Sequence, residues 1–377
     1  MVYADNAATT RVSETARNAY FFALDSFGNP SSMHRAGTTA QQLLNESREK
    51  MARCFDCSAS EIYFTSGGTE SDNMAILGAA AIGEKRRKKH IVSTVIEHHA
   101  VLHTLDYLKE RGFEVTLVGV DEYGYVRVKD VEDAIRDDTC LVSVMYANNE
   151  IGTIQPIQEI GEICRSRGVL FHTDAVQAVG HIPIDVVASN IDMMSLSAHK
   201  FHGVKGVGAL YIRNGITLLP LIHGGAQERG MRAGTENVPG ICAMAEALEE
   251  SCREMKKNIR ITEMRDELIR RISDIDGLQI NGGLQSRLPG NLNITIDGIN
   301  SNALLLLLDE QGICVSSGSA CTTGTLEPSH VITAIRHGSS ISKEAIRITL
   351  DEYNTMDEVR IIEQALKNAV AQLKQFS

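Results

Sequence analysis

The end of one apolar stretch carries residue types that are suited to covalent chemistry. The run Met193–His199 is strand-like and ends in hydroxyl groups and a histidine, and Lys200 follows it directly. α/β proteins place their chemistry at the carboxyl ends of strands. A lysine there can lose its proton through desolvation and attack a carbonyl group as a free amine. An isolated lysine is more often a surface residue, so the other polar clusters decide between the two interpretations.

A glycine pair follows another strand-like run. Gly67 and Gly68 let the backbone turn sharply, and Thr69 adds a hydroxyl group at the start of the next helix. The free N–H groups of such a helix N-terminus, together with the positive end of its dipole, bind phosphate well. No lysine follows the glycines, so this is not a Walker loop. A structural glycine turn with a threonine cap is an equal alternative.

Two further strand ends carry an acid and a pair of histidines. Asp174 follows an apolar run, and a buried carboxylate there needs a positive partner, such as a protonated ring nitrogen. The alternative for Asp174 is the N-cap of a helix. His98 and His99 follow the run His90–Val95, where a histidine could stack on a flat cofactor and move protons.

Cys321 lies in a segment that does not resemble the usual surroundings of a cysteine. The segment Ser316–Thr325 is rich in Ser, Thr and Gly and lacks apolar periodicity, so it predicts a mobile, exposed loop. Cysteine is usually buried, and we therefore interpret Cys321 as a travelling nucleophile. By contrast, three cysteines fall on apolar faces and are predicted to be core residues: Cys140, Cys164 and Cys242.

Three other motifs support no strong functional interpretation. His99 and His103 could share a metal ion on one helix face, but no third ligand has suitable spacing, so we predict no metal site. Cys54 and Cys57 form a lone C-x-x-C without a second pair, which makes redox or zinc chemistry the minority interpretation. The basic run Lys85–Lys89 is most simply a solvated connection, and partner or RNA binding is the alternative.

Composition restricts the class of protein. The chain has 377 residues, 43% of them hydrophobic, enough for about two domains with cores of their own. Its net charge of −11 argues against non-specific binding to nucleic acid or membranes. The start lacks the features of a signal peptide, and the cysteine spacing is not that of a secreted disulfide scaffold, so we expect a cytoplasmic protein. The apolar run Ala303–Leu308 is too short to span a bilayer and predicts a buried helix.

The order of apolar patterns predicts an α/β fold. Strand-like runs alternate with helical patterns, which indicates a mainly parallel sheet with helices on both of its faces. The predicted strands are Glu61–Thr65, His90–Val95, Glu114–Val118, Thr139–Tyr146, Val169–Thr173, Ile191–Ser195 and Gly208–Ile212. The predicted helices between them are Asp72–Ala81, His99–Arg111, Val131–Ile135 and Pro156–Arg167.

After Gly240 the pattern changes to that of a smaller α+β domain, entered through one long helix. The predicted elements are a helix over Ile241–Ile275, strands at Leu278–Ile280 and Asn291–Ile296, and helices at Asn302–Glu310 and Met356–Phe376. We therefore predict a large domain over residues 15–253. Residues 1–14 and 254–377 would form the small domain that carries Cys321.

A phosphate loop, a ring-stacking histidine, an aspartate and a reactive lysine occur in this order in pyridoxal-phosphate sites. The chain resembles the class V aminotransferase superfamily and, within it, the NifS/IscS-type cysteine desulfurases, which have pyridoxal-phosphate fold type I. The likeness runs almost end to end and is specific when its motifs are taken together. It is carried by Asp5–Thr10, Gly28–Ser32, Thr65–Asn73, Glu97–Ala100, Asn148–Gly152, His172–Gln177, Ser195–Lys200, Arg229–Gly240 and Ser316–Cys321.

The resemblance implies a role for each matching residue at the cofactor. Lys200 would hold pyridoxal phosphate covalently, Asp174 would pair with its ring nitrogen, and Gln177 would contact its phenolic oxygen. His98 would stack on the ring and help to move protons. The phosphate would be bound by Thr69, Ser197 and His199, joined by Thr235 from the neighbouring subunit of a homodimer. Gly68 and Asn149 would complete the cofactor contacts.

The resemblance also implies the reaction. Asn149 and Arg347 would hold L-cysteine, and Cys321 would attack its sulfur, which leaves L-alanine and a persulfide. The acceptor would be a protein that serves iron–sulfur cluster assembly, tRNA thiolation or cofactor synthesis, and activity on selenocysteine stays open. Leu350–Asn354 departs from the usual sequence after the substrate arginine, and Val204 stands where a proline is common. An aminotransferase, a lyase that does not need Cys321 and a non-enzymatic scaffold are the competing hypotheses.

Overall fold

Helices and short strands make up most of the chain. The computed structural model describes residues 1–317, 329–336 and 345–375. Its strands are β1 Val2–Tyr3, β2 Ile62–Thr65, β3 His90–Thr94, β4 Glu114–Val118, β5 Thr139–Ser143, β6 Leu170–Asp174, β7 Met193–Ser197, β8 Gly208–Ile212, β9 Leu278–Ile280, β10 Asn291–Ile296, β11 Ile313–Cys314 and β12 Ala345–Thr349. Its helices are α1 Glu14–Leu24, α2 Arg35–Cys54, α3 Gly68–Lys85, α4 His99–Lys109, α5 Val128–Ala134, α6 Ile157–Arg167, α7 Val238–Arg253, α8 Lys257–Ile272, α9 Ser301–Glu310, α10 His330–Arg336 and α11 Met356–Lys374.

A seven-stranded sheet organises the first two thirds of the chain. The strand order is β2-β8-β7-β6-β5-β3-β4, and β8 alone runs against its neighbours. All the other neighbouring pairs are parallel. The prediction of a mainly parallel sheet in an α/β fold is confirmed.

Burial on both faces explains the composition of the central strands. Every residue of β3, β5, β7 and β8 is buried, so these strands need apolar or fully hydrogen-bonded side chains throughout. Helix α3 packs against β5, β6, β7 and β8. It is therefore buried around much of its circumference, and its small residues, such as Gly78 and Ala79, permit the close approach. The core prediction for Cys140, Cys164 and Cys242 is confirmed.

The C-terminal elements build a second hydrophobic core. An antiparallel sheet of order β12-β10-β9 and the short parallel pair β1–β11 lie beside α8, α9 and α11. Their apolar side chains, from Val2 at one end of the chain to Val370 at the other, form one cluster. The N-terminal strand therefore packs with the C-terminal elements. The division into residues 15–253 and the remainder stays a prediction. No described helix has the length and apolar character that a membrane crossing needs.

Two predicted boundaries and one prediction of burial differ from the structure for identifiable physical reasons. The helix over Ile241–Ile275 is two helices, because residues 254–256 form a turn and Asn258 Nδ2 is held by the carbonyl oxygen of His181 at 2.6 Å. The strand over Thr139–Tyr146 ends at Ser143, where the chain leaves the sheet to enter the site. Helix α9 is buried on one face only, since Leu304 and Leu308 are buried whereas Leu306 is 67% exposed.

Candidate active site

The predicted site residues meet at one edge of the large sheet. The parallel strands β2, β3, β5, β6 and β7 all end at this edge, and the segments that follow them line a cavity of about 330 Å³. Among the predicted residues that the structure describes, those lining it are Gly68, Thr69, His98, Asn149, Asp174, Gln177, Ser197, His199, Lys200 and Arg347.

Lys200 projects from the end of β7 towards the N-terminal segment. It closes the short 3₁₀ turn Ala198–Lys200. Its Nζ donates hydrogen bonds to the carbonyl oxygens of Ala7 and Ala8, at 2.6 and 2.9 Å. These carbonyl oxygens hold the amine at the cavity wall, so the lysine is positioned there before any ligand binds.

Asp174 is the last residue of β6 and is buried. Its Oδ1 accepts the backbone N–H of Val176 at 2.9 Å, which fixes the carboxyl group in a local turn. Burial raises the pKa of Asp174 to about 6, while the Val176 N–H and the charge of Lys200 act in the opposite direction. The predicted alternative of a helix N-cap does not apply, because none of the described α-helices begins here. A cationic ring nitrogen in the cavity would compensate this carboxylate.

His98 caps helix α4 and faces the cavity. Its Nδ1 accepts the N–H of Ala100 at 3.1 Å, so the neutral ring carries its proton on Nε2. Burial, and then the charge of Lys200, lower the pKa of His98 to about 4. The imidazole is therefore neutral near pH 7, oriented by its own helix and able to donate a hydrogen bond from Nε2.

The start of α3 forms an anion cradle beside β7. No side chain caps this helix N-terminus, and Thr69 lies in its first turn at the cavity wall. A Cβ atom on Gly68 would lie 2.6 Å from Val176 Cγ2 and 3.6 Å from Ser197 Cβ, so glycine is needed for the close approach. His199 adds its ring, with Nδ1 3.2 Å from Thr9 Oγ1. Free N–H groups, hydroxyl groups and the helix dipole together suit a phosphate.

The opposite side of the cavity presents a guanidinium group. Arg347 is buried on β12 and donates from Nη1 to the carbonyl oxygen of Asn149 at 2.9 Å. Its Nη2 bonds to Asp5 Oδ1 at 3.0 Å and to Ser316 Oγ at 2.9 Å. Its Nε has no hydrogen-bond partner among the residues that the structure describes. Arg347 lines the cavity, so its guanidinium group is a cation that a ligand carboxylate there would meet.

One predicted site residue lies away from the cavity, and another is outside the part of the chain that the structure describes. Thr235 is exposed and lines a separate depression that also includes Ser66, the residue before the Gly67–Gly68 turn. Its predicted role as a residue supplied to the neighbouring subunit is compatible with this position and stays a prediction. Cys321 lies outside the described residues.

Some residues at the site were not predicted. Asp72 lines the cavity three residues after Thr69, and this spacing places both side chains on one face of the helix. Glu97 is buried, and its Oε1 accepts from Thr94 Oγ1 at 2.7 Å and from the Met145 N–H at 3.0 Å. The helical spacing could have revealed Asp72. The backbone carbonyl groups of Ala7 and Ala8 that hold Lys200 could not be predicted in this way, because no side-chain type marks them.

The weaker sequence motifs take structural positions. Cys54 contacts Cys252 of α7 rather than Cys57, and this contact raises the pKa of Cys54. The basic run ends in Lys89, whose Nζ pairs with Glu84 at 2.7 Å on the surface. Within the described parts of the chain, no group of three His, Cys, Asp or Glu residues has the arrangement of a metal site.

Comparison with known proteins identifies the family. Residues 2–362 match the family Aminotransferase class-V. A cysteine desulfurase IscS of Methanosarcina thermophila is 48% identical over 378 residues, which cover 100% of this chain and 93% of that protein. A solved structure described as a NifS-like protein has a TM-score of 0.92 and 40% identity, with 99% of both chains covered. Another, SspA in complex with cysteine, has a TM-score of 0.82 and 36% identity, with 94% of this chain and 100% of that chain covered. The chain belongs to the aminotransferase class-V family.

Proposed function

We propose that this protein is a pyridoxal-phosphate-dependent cysteine desulfurase, which converts L-cysteine to L-alanine and takes the sulfur as a persulfide on Cys321. One observation carries most of the proposal. Lys200, Asp174, His98 and the anion cradle at Thr69 surround one cavity at the carboxyl ends of parallel strands. The relatives named as cysteine desulfurases, which align over the whole chain, support the same reaction.

The residues of the cavity fit pyridoxal phosphate by their chemistry. The cofactor has an anionic phosphate, a pyridine nitrogen that binds a proton and an aldehyde that a lysine amine can attack. The cradle at Gly68 and Thr69 suits the phosphate, buried Asp174 suits the protonated nitrogen, and Lys200 is the cavity amine. Asp174 is buried, and within the described residues Lys200 supplies the positive charge that acts on it. The protonated nitrogen of a bound ring would add a second positive charge.

The residues of the chain would divide the work of the reaction. Pyridoxal phosphate, when bound, withdraws electrons from the α-carbon of an attached amino acid, which labilises that carbon's proton and the β-substituent. Asp174 would keep the ring nitrogen protonated, and the amine of Lys200 would move protons at the α-carbon of the substrate. His98 holds the ring from one side and donates from Nε2.

The substrate carboxylate would lie against Arg347, with Asn149 beside the amine end. Arg347 lines the cavity and brings a positive charge to it. Its contacts with Asn149, Asp5 and Ser316 fix the orientation of the guanidinium group. The substrate sulfur would then point towards the side from which the Cys321 segment leaves the described structure.

The chain connections allow Cys321 to approach the substrate. Ser316 is hydrogen-bonded to Arg347 at the cavity wall, and Ser329 Oγ donates to buried Glu150 at 2.6 Å. Five residues separate Ser316 from Cys321, and five residues of extended chain span up to about 17 Å, which is long enough for the proposed attack on a substrate at Arg347. The Cys321 thiolate attacks the substrate sulfur, the carbon–sulfur bond breaks, and the carbon skeleton takes up a proton. In balance, L-cysteine and one thiol give L-alanine and one persulfide.

The remaining predictions are part of the same proposal. The protein would act as a homodimer in which Thr235 reaches the phosphate site of the neighbouring subunit. It would work in the cytoplasm and hand its sulfur to an acceptor protein of iron–sulfur cluster assembly or tRNA thiolation. The large domain of residues 15–253 would carry the cofactor, and the smaller one would carry Cys321.

The proposal is tested with the purified full-length protein, pyridoxal phosphate and L-cysteine. We expect alanine and protein-bound persulfide in equal amounts during the first turnover. Lys200→Ala should abolish both products, while Lys205→Ala, which changes an exposed lysine outside the cavity, should keep them.

Cys321 and the reaction type are tested in the same assay. Cys321→Ser should lose the persulfide and most of the alanine, and Cys57→Ser should behave as the wild type. Full alanine production by Cys321→Ser would indicate a lyase. Consumption of an added 2-oxo acid with the carbon–sulfur bond intact would indicate an aminotransferase.

A further inference from the structure

A second carboxyl group lies in the wall of the cofactor cavity. Asp72 is only 1% exposed and projects from the first turns of α3, in the same wall as Asp174. Its Oδ1 has no hydrogen-bond partner among the described residues. The proposed reaction assigns no role to this carboxyl group, although it lies at the cavity and its buried Oδ1 lacks a described partner.

The charges around Asp72 disfavour its ionised form. Within the described residues, no lysine or arginine nitrogen lies within 4 Å of its carboxyl group, and the ion-pair candidate is His172 Nε2, at 3.6 Å. Burial lowers the pKa of His172 to about 3, so this ring is neutral and supplies no charge. The other charged neighbours are the buried acids Asp174 and Glu97, and both act to repel a charge on Asp72.

The polar side chains behind Asp72 can form a hydrogen-bond chain with a neutral carboxylic acid in which every donor has an acceptor. The Ser195 hydroxyl lies beside the Asp72 carboxyl group and, as a donor, acts to lower the pKa of Asp72, against the larger effects of burial and of Asp174. The Oγ of Ser195 lies 3.0 Å from His172 Nε2. His172 Nδ1 lies 2.9 Å from Ser143 Oγ. A protonated Asp72 can donate to Ser195, Ser195 to Nε2, and Nδ1–H to Ser143. Each member then has a partner of the correct kind.

We propose that Asp72 is a positioning residue that stays a neutral carboxylic acid while Asp174 is ionised, so that the cavity offers one carboxylate charge to the cofactor. The inference rests on the proposed function only for the identity of the ring that Asp174 faces. Two carboxylates in one buried wall cannot both ionise readily. Their protons are therefore shared unequally, and Asp72 carries one. Desolvation by burial, followed by the charge of Asp174, raises the pKa of Asp72 in agreement with this arrangement.

The first test compares the stability of the full-length wild type with that of Asp72→Asn across pH 4.5 to 8.5, with and without pyridoxal phosphate. When a carboxylic acid is protonated in the folded state and ionised in the unfolded chain, the free energy of unfolding of the protein falls as pH rises. The amide cannot ionise, so Asp72→Asn should melt at a higher temperature than the wild type, by a margin that grows with pH. Asp357→Asn, which changes an exposed carboxylate, should show no growing margin.

The opposite outcome of this comparison overturns the proposal. If Asp72 is ionised and stabilising, Asp72→Asn will be less stable than the wild type, and its deficit will be largest at high pH. A constant offset at every pH would also count against it, since that result means that the proton occupancy of residue 72 does not change on unfolding.

The second test detects the proton directly. The infrared spectrum of the wild type in D₂O near neutral pD should contain the C=O stretch of a protonated carboxylic acid, which Asp72→Asn lacks. Glu97→Gln serves as the reference, because burial raises the pKa of Glu97 to about 8 and its own band must be separated. If Asp72→Asn loses carboxylate bands and keeps the C=O stretch of the protonated acid, the proposal is overturned.

These measurements separate this inference from the proposed function. Neither uses cysteine or follows sulfur, so a protein without desulfurase activity could still show the Asp72 band. Conversely, an active desulfurase without the band would disprove only the role of Asp72. With the cofactor bound, the visible absorption of Asp72→Asn and of the wild type should respond to pH in the same way wherever residue 72 of the wild type stays neutral, and a different response near neutral pH would count against the proposal.

Discussion

Asp5 and Arg347 form an ion pair between residues 342 positions apart in the sequence, with Nη2 and Oδ1 separated by 3.0 Å. The arginine lines the cavity, and its side chain is almost completely buried. The pair connects the N-terminal segment, whose carbonyl groups hold Lys200, to the residue proposed to bind the substrate carboxylate. The arginine is therefore oriented before substrate arrives.

We expect Arg347→Lys to raise KM for L-cysteine by about 10- to 100-fold, because an ammonium group cannot keep the fork of donors that binds Asn149, Asp5 and a carboxylate together. Asp5→Asn should raise KM by a smaller factor, since the orienting charge is lost while an acceptor oxygen remains. Steady-state kinetics on both variants measures this. Asp357→Asn, which alters an exposed ion pair, is the control, and an unchanged KM in Arg347→Lys would exclude its role.

Gly68→Ala should weaken cofactor binding and destabilise the fold by about 1–3 kcal/mol, because the new methyl group would overpack the contact with Val176. The start of α3 would move away from Ser197 and open the anion cradle. Equilibrium titration with pyridoxal phosphate and denaturant unfolding measure the two effects. Gly119→Ala is the matched control, because a Cβ atom there meets nothing within 4 Å. Equal cofactor affinity in both variants would contradict the role of the cradle.

Asp174→Asn should lower kcat by about 10²- to 10³-fold, since an unpaired buried cation is disfavoured by several kcal/mol and the ring nitrogen would lose its proton. The amide oxygen can still accept the Val176 N–H, so the local turn should persist. Single-turnover kinetics and the visible absorption of the bound cofactor report the change. Asp185 lies at an exposed turn and accepts the N–H of Val187 in the same way. Asp185→Asn should therefore leave kcat and the cofactor absorption unchanged.

His98→Asn separates the capping role of residue 98 from its chemical role. Asparagine is a strong N-cap residue, so α4 should keep its stability near pH 7, whereas kcat should fall by about 100-fold. Thermal unfolding and steady-state kinetics at neutral pH test the two statements. A large loss of stability at neutral pH would show that the ring, rather than the cap, supports the fold.

The acid limb of stability follows from the same residue. The pKa of His98 lies near 4 in the folded chain and at 6.5 in the unfolded chain, so the unfolded chain binds the proton first. Its contribution to stability is complete above pH 6.5 and is lost as pH falls towards 4. His98→Asn should therefore lose less stability than the wild type over this interval, and an identical acid limb would contradict the lowered pKa.

Much of the fold and of the candidate site could be read from local pattern. The runs at Glu114–Val118 and Gly208–Ile212 are strands with the predicted bounds, because β-rich apolar runs between polar turns have few alternatives. Residues placed at the ends of parallel strands, such as Asp174 and Lys200, share one sheet edge by geometry alone. Their meeting in one cavity was therefore predictable before any contact was known.

The break between α7 and α8 could not be read from the sequence. Residues 254–256 are good helix formers, and the turn is stabilised by a long-range contact of Asn258 with His181. Propensity contains no information about such contacts. The same limit applies to α9, whose apolar run predicts burial although Leu306 on its outer face is 67% exposed among the described residues.

Short-range pattern and side-chain chemistry are enough to predict the fold class, the family and the reactive groups at Lys200, Asp174 and the glycine turn. The groups that control these residues become visible only in the folded chain. The Asp5–Arg347 pair, the carbonyl groups that hold Lys200 and the second carboxyl of Asp72 arise where distant segments meet. Hydrogen bonds and charge effects depend on distance and burial, which the packing of the folded chain sets.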